Sequence, residues 1–284
     1  MHRTVIAPLA GAVLLLGACS DSSTAPPDSG GPSISTSPSV AGVDATIQGT
    51  EFSFLLPETL PSGEVTLAYE NIGGQPHFYE LAKIDEGVTD AQIEEALQAK
   101  GEPEFLQGEG PGFGLLSPGT SAVATADLEP GNYVFLCFLP DVDGTPHALK
   151  GMYQQVTVGD EGSTVAPPEP DVTVEVGKDG WTTPDLGDVA PGDVTFEIVG
   201  SPDTKGHSFE IARIDDDAIT TVKEGDQAVT EWFRSGYEGV PPVTLVGGLF
   251  AVKPGETRVL TVTLEAGRYG LIDQAGAGEI VEIG

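Results

Sequence analysis

Residues 130–137 read Pro-Gly-Asn-Tyr-Val-Phe-Leu-Cys. A Pro-Gly turn leads into an alternating run, and a period of two puts Tyr133, Phe135 and Cys137 on one face of a strand. The strand therefore delivers a cysteine from a stiff, aromatic-packed support. Downstream come Phe138-Leu139-Pro140, a hairpin-type Asp141-Val142-Asp143-Gly144 turn, and His147-Ala148-Leu149-Lys150-Gly151-Met152. Residues 153–158 then return as a strand. Other short runs, such as residues 65–69, are bounded by Gly and Pro, which predicts an all-β chain built as antiparallel sandwiches.

The chain repeats itself. His77-Phe78-Tyr79-Glu80-Leu81-Ala82-Lys83-Ile84 recurs as His207-Ser208-Phe209-Glu210-Ile211-Ala212-Arg213-Ile214, and Gly63-Glu64-Val65-Thr66-Leu67 recurs as Gly192-Asp193-Val194-Thr195-Phe196. Gly131-Asn132-Tyr133 recurs as Gly267-Arg268-Tyr269. Landmarks kept in order mark a tandem duplication. The expected segments are 1–19, an export signal; 20–40, a Ser/Pro-rich tether; 41–158, a first sandwich; 159–171, a Pro-rich linker; and 172–284, a second sandwich. One short helix interrupts each repeat. Thr89 and Gln92 have capping-box spacing ahead of Ile93, Ala96 and Leu97, with Gly101 as a stop, and a second helical patch precedes Trp232 and Phe233.

Arg3 and the apolar run of residues 5–16 read as a signal too short to span a bilayer. Leu16-Gly17-Ala18-Cys19 resembles the lipobox of bacterial lipoproteins. That resemblance implies cleavage before Cys19, acylation of it, and an extracytoplasmic, membrane-anchored protein on the periplasmic or cell-surface side. Cys137 is then alone in an oxidising compartment, as a free buried thiol, an intermolecular bridge or a metal ligand. The formal net charge of −32 excludes non-specific nucleic-acid binding. It also repels anionic headgroups, so membrane contact falls to the anchor. The acid is spread along the chain, which fits a solvated surface better than a localised patch for a basic redox partner such as a cytochrome.

With the cysteine strand, the His-x4-Met spacing after it and the stretch Asn71-Ile72-Gly73-Gly74-Gln75-Pro76-His77, residues 41–158 resemble the cupredoxin family of blue copper proteins. The resemblance implies a Greek-key β-sandwich and a single type 1 copper held by His77, Cys137, His147 and Met152. Two imidazoles, a thiolate and a weak thioether form the donor set that suits copper cycling between Cu(I) and Cu(II). It implies further that Cys137 supplies the short covalent bond and that Met152 is the weak axial ligand. The ring edge of His147 should then reach solvent, where electrons enter and leave. Taken singly, His77 could be a strand-end histidine, Met152 core filler and Cys137 a small buried hydrophobe. Their order around one family-like strand favours the metal.

Two departures from the family stand out. Residues 138–146 make a longer cysteine-to-histidine loop than is usual. If Asp141 to Thr145 loops out, Pro140 and Pro146 can still bring the ligands together. Phe78 also stands where the family often has Asn, an exchange that would remove a hydrogen bond steadying the cysteine loop.

In the second repeat Asp273 occupies the cysteine position, the following turn carries neither His nor Met, and His207 reads as a partnerless relic or local structural histidine. Its sandwich is expected to be metal-free. Leu136 and Phe138 flank Cys137 where a multicopper oxidase has histidines, and no hydrolase, zincin or phosphate-loop motif occurs. The expectation is an electron carrier and not an enzyme. The alternatives are a metal-free cupredoxin-like binding or adhesion module, and a copper storage or delivery protein.

Overall fold

The computed structural model describes residues 42–99, 103–182, 184–187, 189–250, 252–273 and 278–284. The export signal, Cys19 and the tether lie outside the described residues, as does the expected helix stop Gly101. The first half contains β1 (Ala45–Thr50), β2 (Ser53–Leu55), β3 (Thr59–Asn71), β4 (His77–Ile84), α1 (Asp90–Gln98), β5 (Leu106–Glu109), β6 (Gly112–Leu116), β7 (Ser121–Leu128), β8 (Gly131–Leu136) and β9 (Tyr153–Gly162). The second half repeats this with β10 (Val172–Gly177), β11 (Gly180–Trp181), β12 (Gly192–Gly200), β13 (Phe209–Ile214), α2 (Val222–Arg234), β14 (Val243–Phe250), β15 (Thr257–Leu264), β16 (Gly267–Ile272) and β17 (Gly278–Ile283). The chain is all-β, as its alternating runs predict.

The strands form two facing layers, and each layer runs through both halves. One has the order β2-β1-β3-β7-β15-β12-β10-β11. The other runs β9-β8-β4-β6-β14-β13-β16-β17, with β5 extending the β6 edge along the end of β4. The halves join where equivalent strands meet, β6 on β14 and β7 on β15. This is the self-complementary contact of a two-fold dimer, formed here within one chain. It closes strand edges that each half alone would leave unpaired. Side chains reinforce the seam. Arg258 Nε donates to the Thr125 carbonyl at 3.0 Å and Nη2 to the Gly112 carbonyl at 3.0 Å. The Leu245 amide donates to Ser117 Oγ at 2.9 Å, and the Leu115 amide to the buried Glu210 carboxylate at 3.1 Å. The sequence carried no sign of this seam.

The layers are mixed and not purely antiparallel: β1 pairs parallel with β3, and β10 with β12. In the first half the reason is that β3 changes layer. Its start pairs with β9, and from Gly63, at φ 80°, it pairs with β7. A bend at a residue tolerant of positive φ lets one strand serve both sheets.

Both helices begin with a capping box, of which only the one on α1 was expected from the spacing of Thr89 and Gln92. The Thr89 side chain accepts from the Gln92 amide and the Gln92 side chain from the Thr89 amide, and Thr221 and Glu224 do the same for α2. Trp232 and Phe233 fall inside α2 and not after it. Ile93 of α1 packs on Ala82, Ile84 and Val134. Val134 thus faces the helix while Tyr133, Phe135 and Cys137 face the sandwich core.

Candidate metal centre

Three elements converge at one end of the first half. β4 opens on His77, β8 runs out into Cys137, and His147 starts a short 3-10 turn, His147–Lys150. The stretch before His77 is fixed by Asn71, whose Nδ2 donates to the Gln75 carbonyl at 2.7 Å and to the Leu116 carbonyl at 2.8 Å. Its Oδ1 accepts from the Gly73 amide at 2.9 Å. Gly73 approaches so closely that an added Cβ would stand 2.8 Å from His77 Nε2.

The long loop closes on itself, the first of the two outcomes the sequence left open. Pro140 and Pro146 form a β-bridge. The Asp141 amide donates to the Thr145 carbonyl at 2.8 Å and the Gly144 amide to the Asp141 carbonyl at 2.7 Å. Residues 141–145 are therefore a local turn, and the chain re-enters in register. The His147 amide reaches the Leu139 carbonyl at 2.8 Å, and the Ala148 amide reaches that of Cys137 at 2.7 Å. Gly151, in the left-handed region at φ 108°, turns the chain so that the Met152 carbonyl accepts from the Cys137 amide at 3.2 Å. Met152 is fully buried in the core cluster that contains Cys137.

The donor atoms come together. His77 Nδ1 and His147 Nδ1 lie 3.2 Å apart, and Cys137 Sγ lies 3.7 Å from His147 Nδ1. One donor from each of the three residues fits within a mutual 4.8 Å. An ion bonded at about 2.0–2.1 Å to nitrogen and about 2.3 Å to thiolate sulfur holds its donors roughly 3.2–3.8 Å apart. Both separations fall in that window, and the third, between Cys137 and His77, stays within 4.8 Å, so the three residues could hold one metal ion.

Electrostatics suit ligation as well. Burial, helped by the neighbouring His147, pulls the His77 pKa down to about 3. Burial also lowers that of His147. Both rings stay neutral and keep a lone pair near neutral pH, as metal ligands must. Burial pushes the Cys137 thiol up to about 12, opposed by hydrogen bonds from the Phe78 and Leu139 backbone. A cation would have to displace that proton. The Phe78 contact also answers the missing Asn: the backbone steadies the sulfur, whatever side chain follows His77.

His147 departs from the expectation of a solvent-reaching ring edge: it is 0% exposed. Phe52 packs edge-on against it, with centroids 5.3 Å apart, and its Nε2 faces Gln75 Oε1 at 3.2 Å. Gln75 Nε2 in turn donates to Asp141 at 2.8 Å, and Asp141 is paired with Lys150. The long loop thus brings a carboxylate that anchors a cover over the ring. Sequence reasoning missed Phe52, Gln75, Asp141 and Lys150 as site residues. Gln75, Asp141 and Lys150 stood in stretches already singled out, but the role of each depends on a contact with a distant segment, and Phe52 stood in none.

The second half corrects one reading. His207 is not partnerless: its Nδ1 lies 2.6 Å from Asp273 and its Nε2 faces the Lys178 carbonyl at 3.1 Å. Asp273, the counterpart of Cys137, also accepts from the Ser208 amide at 3.3 Å. A hydrogen-bonded histidine–carboxylate pair fills the corner where the first half gathers soft donors.

No family model matches the chain, and no curated protein matches it. Among solved structures, it is similar to a dithionite-reduced auracyanin from the photosynthetic bacterium Roseiflexus castenholzii, 29% identical over 40% of this chain and 94% of that one, with a TM-score of 0.29. It is also similar to auracyanin A, a "blue" copper protein of Chloroflexus aurantiacus, 22% identical over 40% of this chain and 96% of that one, with a TM-score of 0.28. A multicopper oxidase aligns over 84% of this chain and 87% of its own length, at 15% identity and a TM-score of 0.23. Scores this low decide neither fold nor function, which rest on the geometry of the chain itself.

Proposed function

We propose that the first half binds one copper ion of the type 1 kind and that the protein carries single electrons. The observation that carries this reading is the meeting of His77 Nδ1, His147 Nδ1 and Cys137 Sγ at ligand spacing inside a buried core. His77, Cys137 and His147 would hold the ion, with Met152 as a fourth, weak donor, and the ion would supply a one-electron couple. The chain's own part is to keep both imidazoles neutral, to exclude water with Phe52 and Gln75, and to hold the donors in place beforehand. A site formed before the metal arrives changes little between two oxidation states. Ile72, Phe138, Val142 and Leu149 are exposed apolar side chains on the loops that bear the donors, a surface suited to brief contact with a redox protein.

Adding Cu(II) to the soluble chain without residues 1–19 tests the reading. An intense visible thiolate-to-copper band that Cys137→Ala abolishes supports it, and a colourless protein whose melting temperature ignores copper sinks it. That second outcome would favour a metal-free binding module, a reading supported by the second half, whose histidine–carboxylate corner needs no metal. The same reading places the protein outside the cytoplasm, tethered by acylated Cys19. Cys19→Ala should move it from the membrane to the soluble fraction. No catalytic activity is proposed.

A further inference from the structure

Among the described residues only two non-glycine positions have positive φ, Phe52 at 61° and Tyr237 at 65°. A bulky residue in the left-handed region is strained and persists only when its surroundings hold it. Phe52 packs on His147. Tyr237 belongs to the second half, just after α2, and its hydroxyl donates to the Pro140 carbonyl in the Cys137–His147 loop.

Three further observations converge on this contact. Gly236, also at positive φ, lies against the inserted turn, where an added Cβ would stand 3.3 Å from the Val142 side chain. The Tyr237 ring is set by Trp232 and Phe233, with centroids 5.2 and 5.5 Å away. Burial raises the pKa of the Tyr237 hydroxyl, and the charges of Cys137 and Asp141 raise it further, so it sits within electrostatic reach of the site. Pro140 is the residue that bridges to Pro146, the step before His147.

We propose that Tyr237 is a positioning residue for the metal centre: the second half, which lacks the donor set, holds the ligand loop closed through the Tyr237 hydroxyl on the Pro140 carbonyl. This also gives the unusual loop length a use, since the Asp141–Thr145 turn is the part that reaches the neighbouring half. The proposal rests on the copper reading for its spectroscopic arm and on loop geometry alone for its second arm.

The test uses Tyr237→Phe, which removes the hydroxyl and keeps the ring. In the metal-free native protein, the rate at which Cys137 reacts with a small aromatic disulfide should rise about fivefold, the factor expected for one lost hydrogen bond. Copper affinity should fall by a similar factor, and the visible thiolate band should shift. Gly236→Ala should act in the same direction by pressing on Val142. Trp181→Phe, in the second-half core away from the loop, should change neither quantity. Unchanged thiol reactivity together with unchanged copper affinity and spectrum in Tyr237→Phe overturns the proposal. A wild-type protein that takes up no copper, with a thiol still exposed by Tyr237→Phe, removes the copper reading and leaves the clamp standing.

Discussion

At the same corner of each half, a histidine near the start of one strand meets the residue that follows a Gly-x-Tyr strand. In the first half these are His77 and Cys137, joined by His147. In the second they are His207 and Asp273. The first corner is buried, neutral and rich in soft donors. The second satisfies its histidine internally with a carboxylate at 2.6 Å. The scaffold is shared, so it does not itself require a metal. What distinguishes the corners is whether the polar groups find partners within the chain or leave donors aimed at a common point.

Converting one corner into the other gives the largest expected effect. Cys137→Asp in the first half should give His77 an acidic partner and abolish the copper band while leaving an all-β circular dichroism spectrum. It should also remove copper-dependent stabilisation, which with free copper at a hundred times the dissociation constant is about 2.7 kcal/mol. Copper titration followed by calorimetry reads both quantities. An intact visible band in this variant would break the comparison.

A loss of stability of similar size, with copper binding kept, is expected from Asp273→Ala. It strands a half-buried histidine and leaves the Ser208 amide without its carboxylate. Removing one partner of a buried pair costs about 3 kcal/mol, so urea denaturation should show a lower midpoint and an unchanged slope. Copper binding in the first half should be unaffected.

A third contrast is a pair of opposite pH responses. The His77 pKa is lowered from 6.5 to about 3, so the folded state takes up fewer protons than the unfolded one between those values. Its contribution to the stability of the metal-free protein is present above pH 6.5 and is lost as the pH falls toward 3. For His207, burial works downward, but the Lys178 carbonyl and the Asp273 carboxylate outweigh it and raise the pKa above 6.5. Its contribution is full below 6.5 and fades as the pH rises through the raised value. His77→Gln should flatten the acid limb of the stability profile, and Asp273→Asn the limb above pH 6.5. The same limb flattened by both variants would show that the corners are not electrostatically distinct.

Much of this was legible in the sequence because it is local. The alternation of residues 131–137 dictates which side chains share a face. The turn residues Asp141 to Gly144 mark a loop that can close on itself, and the capping box of α1 is carried by Thr89 and Gln92, three positions apart. The duplication exposed Asp273 as the counterpart of Cys137. What stayed hidden is contact between distant segments. Nothing near His207 announces that Asp273 will pair with it, and nothing near Gln75 announces that it will cover His147. The seam of β6 on β14 and β7 on β15 escaped notice because a strand's own sequence does not name the strand it pairs with.

That seam has a consequence for the protein in dilute solution. Two separate copies meeting through matched edges would form a pair whose population falls as the protein is diluted. Joined in one polypeptide, the partners see each other at a fixed effective concentration, and docking becomes part of folding. The reach of Tyr237 onto the Cys137–His147 loop is therefore the same at any protein level, and no exchange of subunits can replace the half that carries Asp273 with a second copy of the half that carries Cys137.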